Sequence, residues 1–188
     1  MQIRLANPNL QLDSIVDGEG IRCVLWTQGC IHNCAGCHNP QTHSFSEGHL
    51  VDIEEIKKQI LEASSYHDGI TFSGGDPMCQ AGACLEIAKF CQENNINVWC
   101  YTGYTYEELI TRGKTNTKIM EFLKNIDVLI DGKFVLEKKS LDVKFRGSTN
   151  QRIIDVQRSL EEEKTVLVDK YNDEVKKEFV TKPKYMFV

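Results

Sequence analysis

Apolar positions along the chain follow two alternating rhythms. "IRCVLWTQ" (21–28) is rich in β-branched and aromatic residues and predicts a strand. In "VDIEEIKKQILEASS" (51–65), Ile53, Ile56, Ile60 and Leu61 recur at helical spacing, with acids early and an aspartate suited to the N-cap. "GITFS" (69–73) is a short strand of the buried type and runs into "GGDP". Residues 81–95 return to the helical rhythm, with Cys84, Leu85, Ala88 and Cys91 on one face. "INVWCYTG" (96–103) predicts the next strand. "TYEELITR" starts a helix, with Thr105 as N-cap and Glu108 three residues on, a capping-box pattern. "KIMEFLKN" (118–125) predicts a further helix and "IDVLIDGKF" (126–134) a fourth strand.

Strands alternating with helices are the mark of βα units around a parallel sheet, and about four units are visible. Gly-containing turns follow three strands: "GC", "GGDP" and "TG". Ligand chemistry in parallel α/β folds gathers at the carboxyl ends of strands, so these turns are expected to share one edge. Beyond about residue 140 the rhythm weakens. "FRGSTNQRIIDVQRSLEEE" (145–163) reads as a loop and then a short helix, and "KTVLVD" and "KEFVTKPKYMFV" are strand-like.

Composition narrows the class. The 188 residues suffice for one domain with a real core; 41% are apolar and 26% charged, ordinary for a soluble globular chain. No run of about 18 apolar residues suggests a spanning helix. The start, "MQIRLANPNLQLDS", lacks the basic and apolar regions of a signal peptide, so the expected compartment is the cytoplasm. A net charge of −5 without a large basic block argues against a nucleic-acid surface built on phosphate contacts.

Eight cysteines change the picture. Without an export signal they read as thiols rather than a disulfide framework, and clustered thiols read as metal ligands. Cys30, Cys34 and Cys37 are spaced C-x3-C-x2-C within "GCIHNCAGCHNP". Cys84, Cys91 and Cys100 are expected as small buried hydrophobes, Cys23 as core, and Cys79 as a bystander thiol near the site. A zinc site would need a fourth ligand, such as His32, His38 or His43, but zinc usually takes two well-separated cysteine pairs. A four-iron cluster normally takes four cysteines; with three, one iron stays open, as catalysis at a metal requires. Spacing favours the open cluster and leaves zinc standing.

C-x3-C-x2-C in a loop after the first strand resembles the signature of the radical S-adenosylmethionine (SAM) enzymes. "DGEGIR" (17–22), the cysteine loop, "SGGDPM" (73–78), "YTGYTYEEL" (101–109), "DVLIDGKFV" (127–135) and "RGSTNQRIIDV" (146–156) together resemble the activases of anaerobic (class III) ribonucleoside-triphosphate reductases, in family order. The resemblance implies a single α/β domain built as an incomplete βα barrel of the radical SAM type, open so that a polypeptide can enter. Its core would span 1–156, with 157–188 as a C-terminal extension of unassigned role. It implies a [4Fe–4S] cluster on Cys30, Cys34 and Cys37, with SAM chelating the fourth iron. The 5′-deoxyadenosyl radical from reductive SAM cleavage would take hydrogen from a glycine Cα of the reductase. A flavodoxin or ferredoxin would supply the electron, and neither nucleic acid nor membrane is an expected partner.

The resemblance also distributes roles. Gly74 and Gly75 would let backbone approach the methionine moiety, with Asp76 accepting from its ammonium or fixing the loop instead. Gly36, Cys37 and His38 stand where the family contacts adenine; many relatives carry an aromatic residue at Gly36, which leaves His38 as the nearest substitute. Asp131 and Lys133 match an Asp-x-Lys pair that reaches SAM, and Thr102 and Gly103 would shape the same pocket. Arg146, Asn150 and Gln151 would touch SAM or the glycine-bearing loop, or brace their own loop. His32, His43, His49 and His67 read as surface or loop histidines. The rival readings are another small radical SAM enzyme, such as a different glycyl-radical activase, or a non-catalytic zinc or iron–sulfur binding module.

Overall fold

The computed structural model describes residues 1–172. The elements are β1 (Gln2–Leu5), β2 (Gln11–Ser14), β3 (Arg22–Thr27), β4 (His49–Asp52), α1 (Ile53–Ser64), β5 (Gly69–Gly74), α2 (Ala81–Glu93), β6 (Val98–Tyr101), α3 (Tyr106–Gly113), α4 (Thr117–Lys124), β7 (Val128–Asp131), β8 (Arg152–Asp155), α5 (Val156–Glu161) and α6 (Asp169–Asn172). The four strands expected from sequence are β3, β5, β6 and β7. They pair in parallel in that order, each next to the one that follows it in the chain. Antiparallel strands flank them: β1 and then β4 beyond β3, and β8 beyond β7. β2 also pairs with β3. The path from β4 to β8 does not close on itself, so the molecule is an incomplete βα barrel in a single α/β domain.

The flanking strands depart from the sequence expectation. β1, β2, β4 and β8 carry only one or two apolar residues each, where the equally short β6 and β7 carry three or four, so no strand pattern shows in them. β4 takes Val51 and Asp52 from the expected helix over 51–65, which starts at Ile53 with Asp52 as its N-cap, accepting from Glu54 N–H. Leu61 is 47% exposed; Ile53, Ile56, Ile60 and Ala63 form the buried stripe instead. "KTVLVD" forms only a bridge, Leu167 to Ile154, before α6 begins. The expected strand over 177–188 lies outside the described residues.

The sheet buries both faces. Alternate residues Val98, Cys100, Leu129 and Ile154 face the helices and join Leu85, Ile87, Cys91, Phe122 and Ile56 in the main core. The intervening Trp99, Ile130 and Ile153 point the other way, into the concavity of the open barrel. A closed barrel would fill that space with side chains from more strands. Here Phe145, Val168 and Tyr171, from the chain beyond residue 140, supply the cover. Backbone bonds from Asp155 N–H to Val166 O (2.9 Å) and Val168 N–H to Ile153 O (2.9 Å) hold that return segment along β8. Lys170 pairs with Glu19 at 2.7 Å, and an Arg146 guanidinium N–H donates to Tyr171 O. Residues 165–171 thus tie together the 15–21 loop and the 139–147 loop.

Arg152 on β8 joins two carboxylates, Asp131 at the end of β7 and Glu107 on α3. Hydrogen bonds from Arg152, and then from Thr165, hold the Glu107 carboxyl down at about 2. Its lowered pKa means the pair stabilises the fold fully above the ordinary carboxylate value near 4.5 and loses that contribution as pH falls toward 2. Glu107 is 57% exposed, so solvent and salt screen the pair. A modest fall in urea midpoint between pH 4.5 and 2 is expected, and Glu107→Gln should flatten it; an unchanged acid limb would remove the pair from the stability account.

Among the described residues no helix is long and apolar enough to cross a membrane.

Candidate functional site

A cavity of about 750 Å³ opens at the carboxyl ends of β3, β5, β6 and β7. Cys30, Cys34 and Cys37 line it from the loop after β3, Gly74 and Gly75 from the end of β5, and Thr102 and Gly103 from the loop after β6. His38 also lines it, tilted against Phe134 with ring centroids 4.8 Å apart. The floor includes Trp26 and Tyr101 from the concave face of the sheet.

The cysteine loop gets its shape from backbone that turns through positive φ at Gly29 (100°), Asn33 (45°) and Gly36 (71°). Its start is pinned by Gly29 N–H to Thr42 O (2.8 Å) and Cys30 N–H to His43 O (3.1 Å). Two of the three sulfurs accept a backbone N–H. His32 donates to Cys30 Sγ at 3.5 Å and Asn39 to Cys37 Sγ at 3.4 Å, both from two residues downstream. Cys34 lies close to the backbone of Phe134, across the fold in the loop after β7. Burial pushes the Cys30 and Cys34 thiols up, and the backbone N–H groups beside them oppose it by favouring the thiolate. Lys133, near Cys34, acts in the same direction. Three soft donors on one wall of a cavity suit an iron–sulfur cluster. Among the described residues no group of three His, Cys, Asp or Glu side chains is arranged to hold a metal ion.

"GGDP" is zipped to the entry of the cysteine loop. Gly75 N–H donates to Thr27 O at 2.8 Å and Asp76 N–H to Gly29 O at 2.9 Å. A Cβ on Gly75 would sit 2.3 Å from Gly29 O, so the close approach that this glycine permits is backbone against backbone within the chain. Asp76 is 1% exposed and accepts from Met78 N–H, Thr102 Oγ1, Gly103 N–H and His32 Nε2. These bonds fix the loop. Asp131, also 1% exposed, accepts from Tyr106 N–H at 2.8 Å, at the start of α3, and pairs with Arg152. Neither carboxylate is among the cavity's walls, nor are Gly36 and Lys133. Gly36 faces Leu136, whose Cδ1 would lie 2.9 Å from an added Cβ, and Lys133 is exposed.

The polar cluster after residue 145 is a brace that also reaches the cavity. Gln151 Oε1 accepts from Gly147 N–H (2.8 Å) and Ser148 N–H (3.2 Å), and its amide donates to Gly132 O (3.0 Å). Asn150 donates to Lys133 O (2.9 Å), and Arg146 to Gln151 O (3.2 Å). Arg146 and Gln151 line the cavity. Cys23, Cys84, Cys91 and Cys100 are buried, and Cys79 is half-buried beside Asp76 and Cys30.

Sequence reasoning missed two histidines. The His67 side chain is 6% exposed and bonds Ala63 O (2.8 Å) and Asp13 (3.0 Å). The His32 side chain is 5% exposed and lies against Asp76. Neither burial had a signal in the sequence, because each depends on a carboxylate partner distant in the chain. The His32 and Asn39 donors to sulfur were missed because a backbone donor leaves no trace in side-chain identity.

Residues 16–154 match the family described as "4Fe-4S single cluster domain". A curated protein from Vibrio cholerae named "Anaerobic ribonucleoside-triphosphate reductase-activating protein" is 37% identical over 146 residues, covering 74% of this chain and 90% of its own length. Proteins with the same name from Pasteurella multocida (38% over 149 residues; 74% and 90%) and Enterobacteria phage T4 (36% over 149 residues; 73% and 86%) are similar to the same extent.

Proposed function

Because this chain belongs to the family of anaerobic ribonucleoside-triphosphate reductase-activating proteins, we propose that it installs a glycyl radical in such a reductase, using an iron–sulfur cluster held by Cys30, Cys34 and Cys37 and SAM as the second cofactor. When bound, the pair supplies one-electron cleavage of SAM to methionine and a 5′-deoxyadenosyl radical, which takes hydrogen from a glycine Cα. The observation that carries the assignment is the triplet of cavity-facing thiols, two of which accept a backbone N–H.

The chain's own residues serve this chemistry by placement. Three thiolates leave one iron for an exogenous chelate. The backbone of Gly74 and Gly75, with Thr102, faces the space where the methionine end would lie. His38, on Phe134, is the side chain proposed against adenine, next to the backbone of Gly36 and Cys37. Asp131 and Lys133 are proposed at the edge of the SAM site, and Asp76 behind it. The sheet stays open, so a polypeptide loop has a route in. We take the core as 1–156 and 157–188 as an extension, of which Val168 and Tyr171 help to cover the concave face. The reading sets the protein in the cytoplasm, with a flavodoxin or ferredoxin as electron donor.

The test is electron paramagnetic resonance on anaerobically reconstituted protein with reductant, SAM and the reductase. A reduced-cluster signal that changes with SAM, followed by a glycyl radical doublet, is expected. One zinc per chain with no iron, or intact SAM after reduction, would overturn the assignment.

A further inference from the structure

Three strand-end loops meet on one buried histidine. Between Cys30 and Cys37 the residues Ile31, Asn33, Ala35 and Gly36 are exposed, so His32 is the one non-cysteine side chain the loop sends inward. His32 Nε2 lies 2.6 Å from Asp76 Oδ2 in the loop after β5. The ring stands edge-on to Tyr104, centroids 4.6 Å apart, in the loop after β6. It also packs on Gly103, where a Cβ would come within 2.4 Å of His32 Cδ2. Asp76 in turn draws in Thr102 Oγ1 and Gly103 N–H, both at 3.0 Å. The backbone N–H of His32 meanwhile reaches Cys30 Sγ.

A polar post is a poor way to gain stability alone. Burying a histidine against a carboxylate costs desolvation that an apolar pair of equal volume avoids. What it gives is direction: a hydrogen bond fixes one geometry where apolar packing tolerates several. Sites that must hold a ligand within about half an ångström rely on such supports behind the contact residues.

We propose that His32 is a positioning residue that sets the register of the cysteine loop against the "GGDP" and "YTG" loops. It holds the three sulfurs at a fixed distance from the Gly74–Gly75 backbone before cluster or SAM arrives. The proposal rests on the reading of this cavity as a cluster-and-SAM site, and it gives that site a determinant of SAM geometry outside the contact residues.

The test uses His32→Leu, which removes the donor; His32→Gln, whose amide N–H still reaches for Asp76; and His32→Asn, whose shorter amide does not. In cluster-free protein, hydrogen exchange over residues 30–38 should rise in His32→Leu and His32→Asn, stay near the parent in His32→Gln, and remain unchanged in β3 for all three. In reconstituted protein, SAM affinity measured by calorimetry should weaken about tenfold in the Leu and Asn variants and less than about threefold in Gln, a tenfold loss being about 1.4 kcal/mol. The SAM-induced change in the reduced-cluster signal should shrink in the same order. Parent-like exchange and affinity in His32→Leu overturn the proposal, and so does a Gln variant as poor as Leu. If His32→Leu does not fold, the Gln and Asn pair decides. Failure of the parent protein to take up iron or bind SAM counts against the functional reading and leaves the exchange result to judge the post.

Discussion

Cys34→Ala should yield a folded chain that generates no glycyl radical. Cys34 is only partly buried, on a loop, so truncating it removes little apolar contact and should cost about 1 kcal/mol or less. Its effect on the metal is of another order. Loss of a partner behind a metal ligand already costs roughly 10–100-fold in affinity or activity, so loss of a ligand should exceed roughly a hundredfold. Iron and acid-labile sulfide per chain, the visible absorbance of the cluster and radical yield should fall together, while circular dichroism of the cluster-free protein stays as the parent. Cys79→Ala is the control: it should keep its iron and its radical. The opposite pattern, with Cys34→Ala active and Cys79→Ala inactive, would falsify the ligand assignment.

Arg22→Met should be the most destabilising of the single changes considered. Arg22 is 1% exposed at the start of β3. Its guanidinium donates to Thr71 Oγ1 (2.8 Å), Ile70 O (2.7 Å), Asn97 O (3.0 Å) and Glu19 O (3.3 Å), and lies 5.3 Å from the centre of the Trp99 ring. Burial pulls it down to about 10, with Asp127 and Asp68 acting the other way, so it stays charged at neutral pH. Methionine keeps much of the volume but leaves buried carbonyls without their donor. Hydrogen bonds to a charged group are worth about 1.5–3 kcal/mol each and are not additive, so a loss of about 4 kcal/mol is expected. Urea unfolding of the cluster-free protein should show a lower midpoint with an unchanged slope. A loss under about 1 kcal/mol would mean that water or neighbouring side chains replace the guanidinium.

That arginine marks where the sequence was legible and where it was not. "DGEGIR" stands out as a motif, but nothing in its letters says that its arginine is a buried post at the far end of the strand from the cysteines. Strand β3 itself was legible, because five apolar or β-branched residues in a row, Cys23 to Thr27, have few alternatives. So were α1 and the capped start of α3, where a period of 3.6 and an N-cap agree, and α2 from its period alone. The flanking strands carry only one or two apolar residues each and display no pattern, and long-range pairing decides them. The converging strand-end loops and the thiol triplet followed from topology and spacing. The engagement of Asp76 and Asp131 did not, because a carboxylate that binds a ligand and one that ties two loops together look the same in sequence. His32 failed for a related reason: a polar residue in a glycine-containing loop looks solvated until its partner is known.

The burial of the remaining cysteines has a consequence for how the protein meets metal and electrophiles. The desolvated thiols of Cys23 and Cys91 are pushed up to about 11 and about 12, and those of Cys84 and Cys100 well above the ordinary range. At neutral pH these four are protonated and shielded, and a protonated thiol neither binds iron nor attacks an alkylating reagent. Cys79, pushed up to about 11, is half-buried like Cys30, Cys34 and Cys37. In its native state the chain therefore behaves as though it had four cysteines rather than eight. Iron delivered to the folded protein meets the cysteine loop and Cys79 beside it, while the four buried sulfurs stay out of reach. Thiol counting on the native protein should therefore report the cysteine loop together with Cys79, with the other four appearing only on unfolding.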